Sequence, residues 1–180
     1  MPRKRFSQGF TLIELMVTVA IMGVLSSVAI PAFGRLMNRS KTAETSGNLD
    51  AMFKNAAAYY TSERATQGQA SSVAGHCTVD DAVPSPAFPT KFKQQFAGDP
   101  SFQALGFSVA DFVYYSYGLV SGGGAGQCNR GPSDANLYTF FANGDLDGDG
   151  IYSTYELAAG SDSSNVMYHS RGFHVIDELE

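Results

Sequence analysis

The stretch Gly9-Phe10-Thr11-Leu12-Ile13-Glu14-Leu15-Met16 decides how the rest of the chain is interpreted. It opens an apolar segment, residues 10–33, that is rich in Leu, Ile, Val, Met and Ala and contains one charged residue, Glu14. The segment is long enough to cross a bilayer as a helix, which takes about 20 residues. A carboxylate at that depth costs on the order of several kcal/mol, so it needs a partner or a function.

A short basic leader precedes the apolar segment. The leader, residues 1–9, holds three positive charges: Arg3, Lys4 and Arg5. This basic tip, the pair Gly9-Phe10 and an apolar helix with glutamate at its fifth position resemble the processing signature of type IV prepilins, and the resemblance extends as far as Pro31. It implies that a prepilin peptidase cuts between Gly9 and Phe10 and methylates the new N-terminal phenylalanine. It also implies a cytoplasmic N-terminus and an inner-membrane precursor.

Glu14 would gain a natural partner from that cleavage. The freed amine of Phe10 and the carboxylate of Glu14 would lie about one helical turn apart on one chain. In a low-dielectric environment, pairing with an ammonium group offsets much of the cost of a buried carboxylate. In the pilin family the partner is the amine of an adjacent subunit, which would fix the axial register of a filament. Glu14 is therefore the candidate assembly residue, and Gly9 and Phe10 are the candidate processing residues.

Two other interpretations of the N-terminal segment remain open. One is a secretory signal peptide cleaved after the small residues Ser27-Val28-Ala29, and the other is a plain transmembrane anchor. The apolar stretch before Ser27 is longer than a usual signal-peptide core, and Glu14 lies in its first turns, which disfavours a signal peptide. Cleavage after Ala29 would release a secreted calcium-dependent binding module that forms no filament.

Composition and charge are those of one folded domain behind the apolar segment. The chain is 44% hydrophobic and 12% aromatic, and residues 34–180 are enough for one globular domain with a real core. The net charge is −5 and becomes more negative when the basic leader is removed. From Arg130 onward nine acidic residues face two arginines, which argues against dominant nucleic-acid binding because that needs a basic surface.

Helical periodicity continues beyond the apolar segment. Hydrophobic residues recur at three- and four-residue steps, which predicts one helix over residues 10–66, with residues 34–66 as its second half. Pro31 lies inside this helix and should bend or weaken it. Residues 67–110 are predicted to be a loop region that holds one short helix, from Asp99-Pro100 to Gly106.

Residues 111–180 have the texture of strands. Strands are predicted over 112–120, with Val113, Tyr115, Tyr117 and Leu119 on one face, over 137–142, and in a hairpin formed by 166–169 and 173–176. A long helix followed by a small antiparallel sheet is an α+β fold, in which the first half of the helix spans the membrane and the second half packs on the sheet. This plan is similar to the lollipop shape of type IV pilins.

Residues 145–156 fit the twelve-residue EF-hand calcium pattern. The predicted ligands are the carboxylates of Asp145, Asp147 and Asp149, the carbonyl of Ile151, Ser153, and a bidentate Glu156. Four acids this close repel one another unless a cation neutralises them, so calcium is the expected cofactor. The segment before the loop is strand-like and the helix after it could only cover residues 153–159, which indicates an isolated loop. The alternative is a solvated Asp-Gly turn that joins two strands.

Two cysteines, Cys77 and Cys128, allow one intramolecular disulfide. Outside the inner membrane such a pair is expected to oxidise. Closing the interval between them would stabilise the fold by roughly 4 kcal/mol in the chain-entropy model. The alternative is two separate reduced thiols.

The sequence offers no catalytic constellation. The histidines His76, His169 and His174 lack the spacing of a zinc site or a catalytic triad, and no serine lies in a nucleophile-elbow pattern. The expected function is therefore that of a non-enzymatic structural subunit in a homo-oligomeric, type IV pilus-like extracellular filament. The alternatives are a minor pilin and a pseudopilin of a type II secretion system, a class that shares the N-terminal signature and often binds calcium near its C-terminus.

Overall fold

The computed structural model describes residues 9–62, 64–65, 72–73, 75–123 and 127–178. The predicted leader lies outside these residues except for Gly9. The chain divides into two compact units, residues 1–37 and 38–180. In chain order the elements are α1 (Leu12–Thr61), β1 (Arg64–Ala65), β2 (Ser72–Val73), β3 (Ala82–Ser85), β4 (Gln94–Gln95), α2 (Pro100–Leu105), β5 (Phe112–Val113), β6 (Ser116–Ser121), β7 (Tyr138–Gly144), β8 (Ser153–Ser161), β9 (Met167–His169) and β10 (His174–Ile176).

The second half of α1 supplies the helical side of the core. Its buried residues recur every three or four positions, as one helix face requires: Thr45, Leu49, Met52, Ala56 and Tyr60. They share one hydrophobic cluster with residues of the sheet, among them Leu119, Phe140 and Leu157. The predicted α+β fold, a long helix packed on an antiparallel sheet, is confirmed.

The helix ends at Thr61, five residues before the predicted end at residue 66. Hydroxyl groups explain the early stop because they hydrogen-bond the last carbonyl oxygens of the helix. The Oγ1 of Thr61 donates to the carbonyl of Ala57 at 3.0 Å, and the Oγ of Ser62 donates to the carbonyl of Tyr59 at 2.8 Å. Serine and threonine offer the backbone such alternatives to a further helical turn.

The main sheet has six antiparallel strands in the order β10-β8-β7-β6-β3, with β9 also paired to β8. The strand β7 alternates buried and half-buried residues along its whole length, which is the period-2 pattern of a strand with one face on the core. Its buried residues Tyr138, Phe140 and Ala142 face the same core as α1. The sheet and the helix thus form two layers around one core.

The region 67–110 is not all loop as predicted, because β2, β3 and β4 lie within it. The strand β3 joins the edge of the main sheet by pairing with β6, and it buries Ala82 and Ser85. Pro84 lies inside β3, although proline has no N–H to donate to a partner strand. An edge strand tolerates proline since one of its sides has no partner strand.

The short helix in this region was predicted correctly. The helix α2 follows Asp99, whose side chain accepts a hydrogen bond from the backbone N–H of Phe102 at 3.0 Å. It ends at Gly106, which has a φ of 68° in the left-handed region. An aspartate cap, a proline in the first turn and a terminal glycine are strong local signals for a helix of this length.

The single strand predicted over 112–120 is divided into β5 and β6. Val113, Tyr115, Tyr117 and Leu119 are all buried as expected. The interruption falls at Tyr114 and Tyr115, whose backbone N–H groups donate to the Glu44 carboxylate of α1 at 2.8 and 3.2 Å. A helix side chain therefore replaces the neighbouring strand as the acceptor at this point.

The hairpin predicted from 166–169 and 173–176 is wrong. Both β9 and β10 pair with β8, where His169 lies opposite Ala159 and His174 lies opposite Glu156. The short helix expected over 153–159 is also wrong, because those residues belong to β8. The nine-residue strand β8 is long enough to pair with β10 in its first half and with β9 in its second half.

Candidate functional site

The predicted processing residues lie just before α1. Gly9 and Phe10 have no regular secondary structure and are exposed, and the side chain of Phe10 is 76% exposed. A peptide bond outside a helix can adopt the extended conformation that a peptidase needs. The geometry at this position is therefore compatible with cleavage between Gly9 and Phe10.

Glu14 lies in the first turn of α1 and bonds to the residue that caps this helix. Its carboxylate accepts hydrogen bonds from the backbone N–H of Thr11 at 2.9 Å and from the Thr11 hydroxyl at 2.5 Å. The backbone N–H of Glu14 in turn donates to the Thr11 hydroxyl oxygen at 3.3 Å. This reciprocal pattern is a capping box. Within the described part of the chain no ion pair involves Glu14, so the cap orients its carboxylate without neutralising the charge.

The first half of α1 presents an apolar surface around Glu14. Every large hydrophobic side chain from Phe10 to Met37 has at least 45% of its surface exposed. By length and composition α1 is apolar enough to cross a membrane, and none of its most apolar window is buried within the protein. Contiguous exposed apolar surface of this extent marks contact with a membrane or with other protein molecules.

The carboxylates of the calcium-like loop come together in part. Oxygen atoms of Asp145, Asp147 and Asp149 all lie within 4.8 Å of one another. Each carboxylate also accepts a hydrogen bond from a backbone N–H within the loop, for example that of Gly148 to Asp145 at 2.6 Å and that of Ile151 to Asp149 at 2.7 Å. Three negative charges at this separation repel one another, which favours a bound cation.

The later positions of the pattern are placed differently. Ser153 is the buried first residue of β8, and its hydroxyl donates to the phenol oxygen of Tyr115 at 3.1 Å. Glu156 lies three residues further along β8 and therefore on the opposite face of the sheet from Ser153. Ile151 lies in the loop beside Asp149. The structure thus brings together the first three predicted ligands and does not bring Glu156 to them.

The predicted disulfide between Cys77 and Cys128 is present, with an S–S distance of 2.06 Å. Backbone hydrogen bonds flank it on both sides. The N–H of Thr78 donates to the carbonyl of Gln127 at 2.8 Å, and the N–H of Arg130 donates to the carbonyl of His76 at 3.0 Å. Residues 127–130 are therefore held along the segment 76–78 by a covalent bond and by backbone pairing.

Sequence reasoning missed the polar groups on α1 that contact the sheet region. Glu44 accepts hydrogen bonds from the backbone N–H groups of Tyr114 and Tyr115 and from the phenol of Tyr117 at 3.3 Å. Lys41, one turn earlier, lies with its Nζ 5.1 Å from the centre of the Tyr114 ring. The sequence signal for this contact was the position of Glu44, which directly precedes the buried helix face that begins at Thr45.

Comparison with known protein families identifies the N-terminal segment that contains Gly9, Phe10 and Glu14. Residues 4–30 match the model of the prokaryotic N-terminal methylation motif. The chain therefore carries the N-terminal methylation motif. It is similar to the type IV major pilin protein PilA of Myxococcus xanthus (strain DK1622), with 52% identity over 52 residues, which is 29% of this chain and 22% of that protein.

Two further relatives show the same extent of similarity. The type IV major alpha-pilin of Moraxella bovis is 48% identical over 44 residues, 24% of this chain and 28% of that protein. The type IV major fimbrial protein FimA of Dichelobacter nodosus is 54% identical over 41 residues, 23% of this chain and 26% of that protein. The chain therefore spans about a quarter of the length of the curated relatives it matches. No solved structure matches the chain significantly.

Proposed function

We propose that this chain is the structural subunit of a type IV pilus-like extracellular filament. The observation that carries the proposal is the exposed apolar surface of α1 with a single carboxylate, Glu14, in its first turn. Apolar surface in water costs about 25 cal/mol per Å², so lipid must cover this surface before assembly and other copies must cover it afterwards. The names of the matched relatives, major pilins and fimbrial proteins, support a structural and non-enzymatic role.

Processing and location follow from the same segment. Residues 10–33 anchor the precursor in the inner membrane, and a prepilin peptidase removes residues 1–9 between Gly9 and Phe10. The processed chain then leaves the membrane and enters the extracellular filament. Pseudopilins and minor pilins would be processed in the same way, but the relatives described as major pilins favour a main filament subunit.

Assembly of the filament relies on Glu14 for its register. Within a bilayer, lipid chains are as apolar as leucine, so helix association gains little from hydrophobic burial and depends on packing and polar contacts. A buried carboxylate needs a partner of opposite charge, and the methylated amine of Phe10 on a neighbouring copy supplies one. Pairing between copies then sets how far one helix is displaced along the next.

The processing step is tested on filaments sheared from cells. Mass spectrometry of the purified subunit is expected to find a chain that begins with N-methylated Phe10. Electron microscopy of cells that lack this chain is expected to show that the filaments are absent. A mature chain that begins at Ile30 would mean cleavage by a signal peptidase and would overturn the proposal.

The role of Glu14 is tested by separating its charge from its hydrogen bonds. Glu14→Gln keeps an oxygen that can accept from Thr11 but loses the charge, and we expect it to lower the yield of sheared filaments by more than about tenfold, the factor that 1.4 kcal/mol gives. Thr11→Ala removes only the cap, worth about 1 kcal/mol, and should retain filaments. Circular dichroism of both variants in detergent checks that they fold. If Glu14→Gln gave filaments in wild-type yield, Glu14 would act only in the helix cap and not in assembly.

We also propose that the loop containing Asp145, Asp147 and Asp149 binds calcium. The convergence of three carboxylates supports the proposal, and the carbonyl of Ile151 could add a fourth oxygen. Because Glu156 lies on the other face of β8, water would complete the coordination. A site without the bidentate glutamate should be weak, in the range of about 10⁻⁴–10⁻³ M that is typical of extracellular calcium modules.

Thermal melting distinguishes this site from a full EF-hand pattern. Calcium at millimolar concentration is expected to raise the melting temperature of the wild-type protein in detergent, and Asp147→Ala should abolish the rise because it removes a ligand. Glu156→Gln, the matched control, should keep the rise. Equal melting curves in calcium and in chelator would contradict calcium binding, whereas loss of the rise in Glu156→Gln would contradict the three-carboxylate site.

A further inference from the structure

The side chain of Lys91 lies against the calcium-like loop. A methyl group at Gly148 would lie 3.1 Å from the Cδ and 3.6 Å from the Nζ of Lys91, so the lysine contacts the loop at this glycine. Gly148 donates its backbone N–H to the carboxylate of Asp145 at 2.6 Å. With standard bond lengths, these contacts place the Lys91 ammonium group at most about 9 Å from that carboxylate. A positive charge from a distant part of the chain therefore lies beside the loop.

Lys91 is close to the loop without being fixed in an ion pair. It is exposed, and among the described residues no ion pair involves its ammonium group. Its Nζ also lies 5.5 Å from the centre of the exposed Phe92 ring, which is within the range of a cation–π contact. The side chain of Gln94 donates to the carbonyl of Phe88 and to the hydroxyl of Thr90, both at 2.9 Å. The backbone around Lys91 is therefore held in place, whereas its ammonium group can move.

The charge of Lys91 opposes a metal ion at the same loop. Without a bound cation, the carboxylates of Asp145, Asp147 and Asp149 attract the ammonium group. A calcium ion held by those carboxylates would repel it instead. At a distance of about 8 Å and with the dielectric constant of water, the repulsion between one and two positive charges lowers the affinity for calcium about fivefold. Glu156 does not reach the loop, so no fourth carboxylate offsets this repulsion.

We propose that Lys91 is a tethered counter-ion of the calcium-like loop, which calcium must displace in order to bind. The inference rests on the calcium site proposed above and assigns what regulates it. In the metal-free protein the ammonium group offsets part of the repulsion between the carboxylates. Calcium takes over that role and releases the lysine. The lysine keeps the affinity low, so that occupancy of the loop follows the calcium concentration outside the cell.

Calcium titration of neutral and charged variants tests the role of Lys91. The full chain in detergent is titrated at low ionic strength, and the rise in melting temperature gives the affinity. Lys91→Met is expected to bind calcium about fivefold more tightly than wild type, and Lys91→Arg, which keeps the charge, should bind as wild type does. The control is Lys93→Met, which removes the same charge from a lysine that lies 5.2 Å from the Tyr114 ring, and it should also match wild type. The gain in Lys91→Met should vanish in 1 M salt, where the Debye length is about 3 Å.

Amine labelling tests the displacement in the wild-type chain, without any substitution. Millimolar calcium is expected to raise the rate at which an N-hydroxysuccinimide ester modifies Lys91, because the ammonium group leaves the loop. Lys93 in the same sample is the internal reference and should keep its rate. Mass spectrometry of the digested protein measures both rates.

The possible outcomes separate this inference from calcium binding itself. Equal affinities of wild type and Lys91→Met, or the same gain in Lys93→Met, would overturn the role of Lys91 and leave the calcium site in place. An unchanged labelling rate of Lys91 in a chain that binds calcium would do the same. If neither wild type nor Lys91→Met responds to calcium, both proposals fail. A response in Lys91→Met alone would support the counter-ion and overturn calcium binding by the wild-type protein.

Discussion

Tyr115 and Tyr117 are fully buried side chains whose phenol groups lie in polar surroundings. The hydroxyl of Tyr117 donates to Glu44 and accepts from the Nδ2 of Asn48 at 2.9 Å, while that of Tyr115 accepts from Ser153. Burial raises the pKa of both phenols well above the ordinary value, and the nearby Glu44 carboxylate raises it further. Both groups are thus held in the protonated form by the contact between helix and sheet.

This arrangement predicts how stability depends on alkaline pH. Because the folded state binds these phenol protons more tightly than the unfolded state, their contribution is complete below the ordinary tyrosine pKa of about 10. It is lost progressively as the pH rises above that value, so unfolding should become easier there. Ultraviolet absorbance of tyrosinate should show an ionisation step that coincides with loss of the circular dichroism signal.

The control for the alkaline titration is Tyr117→Phe. This variant removes one of the two buried phenols and should reduce the amplitude of the ionisation step that accompanies unfolding. If both tyrosines ionised near pH 10 while the protein stayed folded, the proposed burial of their phenol groups would be contradicted.

Among the helices and strands, those determined by neighbouring residues were predicted correctly, and those determined by residues distant in sequence were not. The helix α2 was located because Asp99, Pro100 and Gly106 act within a few residues of one another. The division of the 112–120 strand was missed because its cause, Glu44, lies 70 residues away from Tyr114 in sequence. The false hairpin at 166–176 has the same origin, since the long neighbouring strand β8 decides where both segments pair.

The same limit applies to the calcium-like loop, where the grouping of the aspartates could be predicted from the sequence and the position of Glu156 could not. The grouping of Asp145, Asp147 and Asp149 depends on a tight turn that Gly148 and Gly150 allow at φ values of 84° and 88°, and this is visible in the sequence. The position of Glu156 depends on whether the chain leaves the loop as a helix or as a strand. A helix would return the twelfth residue toward the loop, whereas β8 carries it away. Pairing with β7 favours the strand, and that pairing cannot be read from twelve residues.

In the whole molecule, the exposed apolar surface and the hydrophobic core belong to different units of the chain. All of the buried hydrophobic residues in the described chain lie between Leu49 and Met167, so the unit of residues 38–180 contains its own core. The exposed apolar side chains of α1 are concentrated in residues 10–37. We therefore expect the first unit to cause insolubility and assembly, and we expect the second unit to fold on its own.

Truncation tests this division of roles. A fragment of residues 38–180 is expected to be a soluble monomer in sedimentation analysis without detergent, because it lacks the apolar surface that lipid or other copies must cover. It should melt within about 2–4 °C of the full chain in detergent, a shift that corresponds to roughly 1 kcal/mol for a domain of this size. A fragment that aggregates or melts far lower would show that residues 10–37 contribute to the fold itself. The matched control is the same fragment under reducing conditions, where loss of the bond between Cys77 and Cys128 should lower the melting temperature further.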